Sequence, residues 1–296
     1  MWSQFQHTLG RQVRLSGVGV HTGAPTSIEL VPASADTGIV FERTDIGGSR
    51  CEIAARAQSV VETRLGTVVA NEFGVRVSTV EHLMAALYGL GVDNVRVRID
   101  GPEAPIMDGS AGPFVDLIDR AGLRTQGAPR LRLQVLETVE VRDGAKRAAL
   151  LPCDGFEVSF EIAFDAAPIG RQTLAVSLDQ ATFRSEVAAA RTFGFAHEVE
   201  ALRAAGLARG GSLENVVVID GERILNPEGL RRPDEFVRHK MLDAVGDLAL
   251  LGYPLLARYE ARYAGHALNN ALARALLARP EAWRLVDPSA AMAHAV

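Results

Sequence analysis

Cysteine is almost missing from this chain: Cys51 and Cys153 are the only two among 296 residues. Two thiols cannot build a disulfide framework and are too few for a thiolate zinc site, so they read as small buried residues in a reducing compartment. Long apolar runs are also lacking. The longest, Leu248 to Ala257, is broken by Gly252 and Pro254 and is too short to span a bilayer. Met1 to Gly10 has no basic stretch followed by an apolar core, so no secretory signal is expected. The protein is accordingly expected to be cytoplasmic, without integral membrane association. Excess basic charge is absent as well: 31 Lys and Arg against 36 Asp and Glu leave a net charge of −5, which offers nothing to nucleic acid. What remains is 48% hydrophobic and 23% charged, an ordinary globular composition, and the length suggests two domains.

Along the chain, Thr26 to Val31 alternates and ends at Pro32, and Ile39-Val40-Phe41 reads as a second short strand. A helix is expected from about Thr79 to Leu90, with Gly89 and Gly91 as stop signals. Val95, Val97 and Ile99 alternate with Arg96 and Arg98 as a half-buried strand, and Phe114 to Ala121 reads as a helix closed by Gly122. The turn-rich stretch Thr125-Gln126-Gly127-Ala128-Pro129 marks a domain boundary. Beyond it, strands are expected at Leu131 to Val141, Ala148 to Leu151, Phe156 to Phe164 and Val216 to Ile219. Helices are expected at about Arg184 to Ala190, in a short piece ending at Gly206, after Pro233, and over roughly Ala267 to Ala278. Two short matches echo between the halves: Ile28-Glu29-Leu30-Val31-Pro32 with Ala148-Ala149-Leu150-Leu151-Pro152, and His82-Leu83-Met84 with His239-Lys240-Met241. Matches this short, among common residue types, read on their own as coincidence.

The chemistry concentrates in Glu81-His82 and in His239-x-x-x-Asp243. On a helix, His239 and Asp243 share a face, and Asp247 lies one turn further along it. Alone, that face could be merely solvated, because this spacing is a weak pattern. Only seven histidines are present, however, and two sit within helices beside carboxylates. Two histidines and an aspartate leave one position open on a tetrahedral ion, with Glu81 at hand as a base, and this points to metal-assisted hydrolysis. The HExxH motif is absent. Glu81 has a competing explanation: Ser78-Thr79-Val80-Glu81 also fits a helix capping box, in which Glu81 does no chemistry.

Five segments, in order, carry a resemblance over nearly the whole chain: Ser78-Thr79-Val80-Glu81-His82-Leu83; Ile106-Met107-Asp108-Gly109-Ser110-Ala111; Ala190-Arg191-Thr192-Phe193-Gly194-Phe195; Phe236-Val237-Arg238-His239-Lys240-Met241-Leu242-Asp243; and Gly265-His266-Ala267-Leu268-Asn269-Asn270. Together they resemble the UDP-3-O-acyl-N-acetylglucosamine deacetylase family, the zinc enzymes of lipid A biosynthesis. The resemblance implies an α+β fold of two similar two-layer α/β sandwich domains, 1–126 and 127–296, with the active site between them. It also implies small inserts near Phe41 to Cys51 and near His197 to Asp220. The second insert would form an apolar passage for an acyl chain, with Val199, Leu202, Leu207, Leu213, Val216 and Val218 as candidate lining.

By the same resemblance His82, His239 and Asp243 are the ligands of one Zn2+, and Glu81 is the general base. Thr192 donates to the developing oxyanion, His266 serves the departing amine, and Asp247 orients His266. Phe193 and Lys240 contact substrate, and Lys146 is a candidate phosphate contact. The partner would be a UDP-linked acylated amino sugar, the products acetate and a free amine, and the protein a monomer. One departure stands out: where the family commonly has Lys-Ser-Gly-His, this chain has Tyr263-Ala264-Gly265-His266.

Overall fold

The computed structural model describes residues 3–48 and 50–288. It is a mixed α+β structure built around two large sheets. The first sheet runs in the order Val13–Val18, Pro25–Pro32, Val95–Ile99, Ile39–Arg43, Glu52–Ala54. Its inner face follows from the two-residue period of a strand. Ile28, Leu30, Val95, Val97 and Ile99 are fully buried, while Arg98 points outward and donates to Glu29 at 2.8 Å. Five strands of the second sheet run in the order Val139–Asp143, Lys146–Pro152, Leu255–Arg262, Phe156–Ala163, Arg171–Ser177. Arg132–Val135 and Trp283–Val286 extend it from Leu255–Arg262.

Both sheets share one pairing order. A hairpin meets a late-arriving central strand, which pairs in parallel with the first strand of a second hairpin. The two segments of the strand match, 28–32 and 148–152, fall at the same place in this scheme, with Pro32 opposite Val95 and Pro152 opposite Ala257. The echo read as coincidence from the sequence thus has a structural counterpart.

Each central strand is preceded by a buried helix, Glu81–Gly89 in the first half and Glu235–Ala249 in the second. Each is also followed by a helix, Gly112–Ala121 and His266–Leu277 respectively. The two preceding helices pack directly on each other. They come close at Gly246, where an added Cβ would stand 2.0 Å from the carbonyl oxygen of Glu81. Only a residue without a side chain allows the helices to cross so near His82 and Asp243.

Several sequence expectations change. The first helix begins at Glu81, not Thr79, because Thr79 sits at φ +56° and cannot be helical. The stretch read as a boundary loop, 125–129, is part of strand Leu123–Pro129, which pairs with Phe5–Leu9. Leu131 to Val141 is two strands, Arg132–Val135 and Val139–Asp143. The helix expected at Arg184 starts earlier, where Asp179 caps Gln180–Thr182, and continues as a wide π turn over Phe183–Val187. Ile39–Arg43 belongs to the main sheet, so the extra element of the first half is the small sheet Val60–Glu62, Val68–Ala70, Arg76–Val77 instead of Phe41 to Cys51. In the second half the small sheet Phe193–Phe195, Val217–Asp220, Arg223–Ile224 brackets the helix Val199–Ala204. Cys51 and Cys153 are free but only half-buried. Among the described residues no helix is long and apolar enough to cross a membrane.

Gly246 makes the helix crossing testable. Gly246→Ala adds about 1 kcal/mol of helix propensity, yet its methyl meets a backbone carbonyl that no rotamer change relieves. A net loss of roughly 1–3 kcal/mol is expected from urea unfolding; an unchanged or raised midpoint would show that the helices are free to separate.

Candidate active site

The crossing brings Glu81 and His82, from the first turn of one helix, against His239 and Asp243, one turn apart on the other. All four are buried. The Nε2 atoms of His82 and His239 lie 3.5 and 3.3 Å from the same oxygen, Oδ1 of Asp243. The three donor atoms fall within 4.8 Å of one another. His239 Nδ1 is 3.1 Å from the carbonyl oxygen of Ala190, which as an acceptor places the ring proton on Nδ1. Burial pushes the His239 imidazole down to about 3, so the ring is neutral at ordinary pH. Its Nε2 therefore presents a lone pair to a carboxylate oxygen. That is a repulsive contact unless a cation lies between them.

Asp243 is suited to such an ion. Burial opposes its charge, but the Lys240 ammonium beside it holds its carboxyl well below the usual range. Its second oxygen, Oδ2, accepts from Lys240 Nζ at 2.9 Å. The donor set, two imidazole nitrogens and one carboxylate oxygen, could hold a metal and suits Zn2+ with a position to spare.

Glu81 does not cap its helix. The N-cap residue is Val80, without a side-chain cap bond, and Ser78 Oγ donates to the Pro102 carbonyl at 3.0 Å. Instead, Glu81 Oε2 accepts from the Thr67 N–H at 2.9 Å, and Oε1 stands 4.0 Å from His266 Nε2. The capping explanation thus fails, and the carboxylate is turned toward the donor set. Burial raises its pKa above the ordinary value.

His266 opens the last helix, with Nδ1 2.9 Å from Asp247 Oδ2. Burial works against the imidazolium, but the charge and hydrogen bond of Asp247 raise the pKa to about 10. Asp247 is itself held by Thr67 Oγ1 at 2.5 Å and Asn269 Nδ2 at 2.8 Å, and Asn269 accepts from Tyr259 at 2.6 Å. Thr67, Asn269 and Tyr259 were not assigned roles from the sequence. Asn269 lay inside a motif but without a function, and Thr67 lies outside every recognisable pattern.

An apolar cavity of about 330 Å³ opens from Glu81, His82 and Thr192. Val199, Leu202, Leu213, Val216 and Val218 line it as expected; Leu207 is not part of the lining. Phe193 lies in the wall between the cavity and the donor set, edge-on to His239 at 6.2 Å and beneath Lys240 Nζ at 5.3 Å. Lys146 is not brought to this group: it is exposed, with Nζ 3.9 Å from Asp143. At the departure from the family motif, Tyr263 adopts φ +55° and the Arg262 guanidinium lies over its ring at 4.9 Å.

Donors of this kind, kept dry beside a carboxylate that can accept a proton, occur in metal-dependent hydrolases. Sequence comparison narrows the class. The profile of the LpxC family, UDP-3-O-acyl N-acetylglycosamine deacetylase, matches residues 6–278. A UDP-3-O-acyl-N-acetylglucosamine deacetylase from Phenylobacterium zucineum is 62% identical over 99% of this chain and 100% of its own length. Those from Anaeromyxobacter sp. and Syntrophotalea carbinolica are 54% and 48% identical, over 95% and 98% of this chain and 91% and 93% of theirs. The chain belongs to this deacetylase family and is a hydrolase.

The donor set predicts a bound divalent metal. Metal analysis by mass spectrometry should find it in the purified protein and find it lost from His82→Ala, His239→Ala and Asp243→Ala. Full occupancy in all three variants would contradict the assignment.

Proposed function

We propose that this chain removes the N-acetyl group from UDP-3-O-acyl-N-acetylglucosamine, releasing acetate and the free 2-amine, as a step of lipid A biosynthesis. Family membership supports the reaction. The observation that carries the site is the Glu81 carboxylate, uncapped and buried, at the joint between the donor set and the apolar cavity.

In this reading His82, His239 and Asp243 hold Zn2+, which when bound supplies Lewis acidity that polarises an amide carbonyl and acidifies water. Glu81 Oε1 accepts the proton of the attacking water, since Oε2 is occupied by Thr67. Thr192, on the cavity wall, donates its hydroxyl to the developing oxyanion. His266, protonated and held at Nδ1 by Asp247, gives its Nε2 proton to the departing amine. Phe193 and Lys240 contact the sugar beside the metal, and the cavity takes the acyl chain and keeps out water. Lys146 and Arg147 open one strand and Arg147 stands opposite Arg262, the last residue of the next, so these cations gather at one end of the sheet, where the diphosphate of UDP would bind.

We further read the molecule as two similar two-layer domains, 1–126 and 127–296, with the site between them. The repeated pairing order supports this, as does the origin of the residues, His82 from one part and His239, Asp243 and His266 from the other. The working unit is a monomer, since one chain contains every residue the mechanism uses.

Acetate release from the UDP-linked substrate tests the proposal. Glu81→Gln should retain fold and metal but lose roughly 10²–10⁴-fold in kcat, the scale of general-base catalysis. A metal-loaded variant with normal turnover would contradict the role of Glu81.

The pH dependence follows from the two shifted groups. Glu81 must be ionised, and burial raises its pKa, so activity falls on the acid side at a higher pH than an exposed glutamate would give. His266 must be protonated, and Asp247 lifts its pKa to about 10, so activity persists through neutrality and falls only as pH rises through that value. The profile of kcat/KM should be a broad bell belonging to the coupled site. An alkaline limb at the ordinary histidine value would contradict the pairing with Asp247.

A further inference from the structure

We infer that Thr67 is a positioning residue that ties the proposed base to the proposed acid and assigns one oxygen of each carboxylate to its task; the inference rests on the roles given above to Glu81, Asp247 and His266. Thr67 is 1% exposed and immediately precedes the strand Val68–Ala70 of the small first-half sheet. From one residue, two donors reach two buried carboxylates. Its backbone N–H meets Glu81 Oε2 at 2.9 Å, and its hydroxyl meets Asp247 Oδ1 at 2.5 Å. Its carbonyl in turn accepts from the Val80 N–H at 3.3 Å, holding the residue that precedes the base.

A carboxylate has two equivalent oxygens, and a proton relay needs a particular one to face the substrate. The N–H of Thr67 takes Oε2 of Glu81, which leaves Oε1 as the oxygen facing His266 Nε2 at 4.0 Å. Room around that oxygen depends on the preceding residue: a Cβ added to Gly66 would stand 3.1 Å from it. The hydroxyl of Thr67 takes Oδ1 of Asp247, which leaves Oδ2 for the His266 Nδ1–H at 2.9 Å. The hydroxyl also lies 3.4 Å from His266 Nδ1, but it has one proton, and the shorter contact to a carboxylate takes it.

Thr67 comes from the first half and Asp247 from the second, so the hydroxyl bond also ties the small first-half sheet to the helix Glu235–Ala249. Without it, Asp247 Oδ1 would be a buried carboxylate oxygen lacking its donor, and the imidazole could follow either oxygen. The consequence falls on turnover, because Thr67 is absent from the cavity lining and its two donors reach the proposed base and the carboxylate that orients the proposed acid.

Thr67→Val keeps shape and the N–H but removes the hydroxyl; Thr67→Ser keeps both donors. Both variants are to be assayed for acetate release beside Glu81→Gln and His266→Ala, with metal content measured on each. Thr67→Val should lose roughly 10–100-fold in kcat, the value of a hydrogen bond to a charged group, with KM within about twofold and metal retained. Thr67→Ser should stay within about threefold of the parent in kcat, far inside the loss expected on removing the bond. If the valine variant does not fold, Thr67→Ala replaces it in the same comparison with serine. Parental turnover in the valine or alanine variant, while Glu81→Gln and His266→Ala are crippled, would overturn the inference alone. Equal losses in the serine and hydroxyl-free variants would also overturn it, since packing would then explain both. Normal turnover in Glu81→Gln and His266→Ala would remove the roles on which it rests.

Discussion

The close crossing of helices Glu81–Gly89 and Glu235–Ala249 is the constraint on which the rest of this structure depends. Glu81 and His82 occupy the first turn of one helix, while His239, Asp243 and Asp247 recur every four residues along the other. Neither helix holds a complete donor set. The set closes only because Gly246 lets the second helix press against the Glu81 carbonyl. A side chain at position 246 would hold the helices apart and leave two incomplete sets.

Such proximity concentrates ionisable groups where water is scarce, and the surrounding structure answers each one. Asp247 receives donors from Thr67, Asn269 and His266. Asp243 is met by Lys240 on one oxygen, and its other oxygen faces the two imidazoles across the place of the ion. Buried charges persist only when paired or hydrogen-bonded, so these partners keep the site charged instead of letting it neutralise itself. Both proton-moving groups shift upward, for different reasons: Glu81 is raised by burial, His266 by its aspartate. Glu81 is moved toward the value that a base working near neutrality requires, and His266 is kept protonated, as an acid must be. The same dry surroundings continue into the apolar cavity, which begins at Glu81 and His82.

How much of this was legible in the sequence depends on how each contact is made. Helical spacing brings His239 and Asp243 to one face, and adjacency links Glu81 to His82, so those residues could be read from position alone. The Thr67 contact to Glu81 is made by a backbone N–H, which any residue except proline carries, so it left no trace. Ser78-Thr79-Val80-Glu81 matched a capping box in letters, but the left-handed Thr79 shifts the helix start and Ser78 bonds to Pro102 instead. The strand Leu255–Arg262 was missed because its start lies inside the apolar run broken at Gly252 and Pro254, although Leu255, Ala257, Tyr259 and Ala261 alternate inward. That strand is the centre of the second sheet, and without it the shared pairing order of the two halves could not be seen.

The central claim is that one cation joins His82 to His239 and Asp243 across the helix crossing. X-ray absorption at the zinc edge of the zinc-loaded protein tests it most directly, because it reports the atoms around the ion independently of activity. The account predicts a shell of light atoms with the outer-shell scattering of two imidazoles, reduced to one in His82→Ala. Sulfur in the shell, or a two-imidazole signature that survives loss of His82, would contradict it.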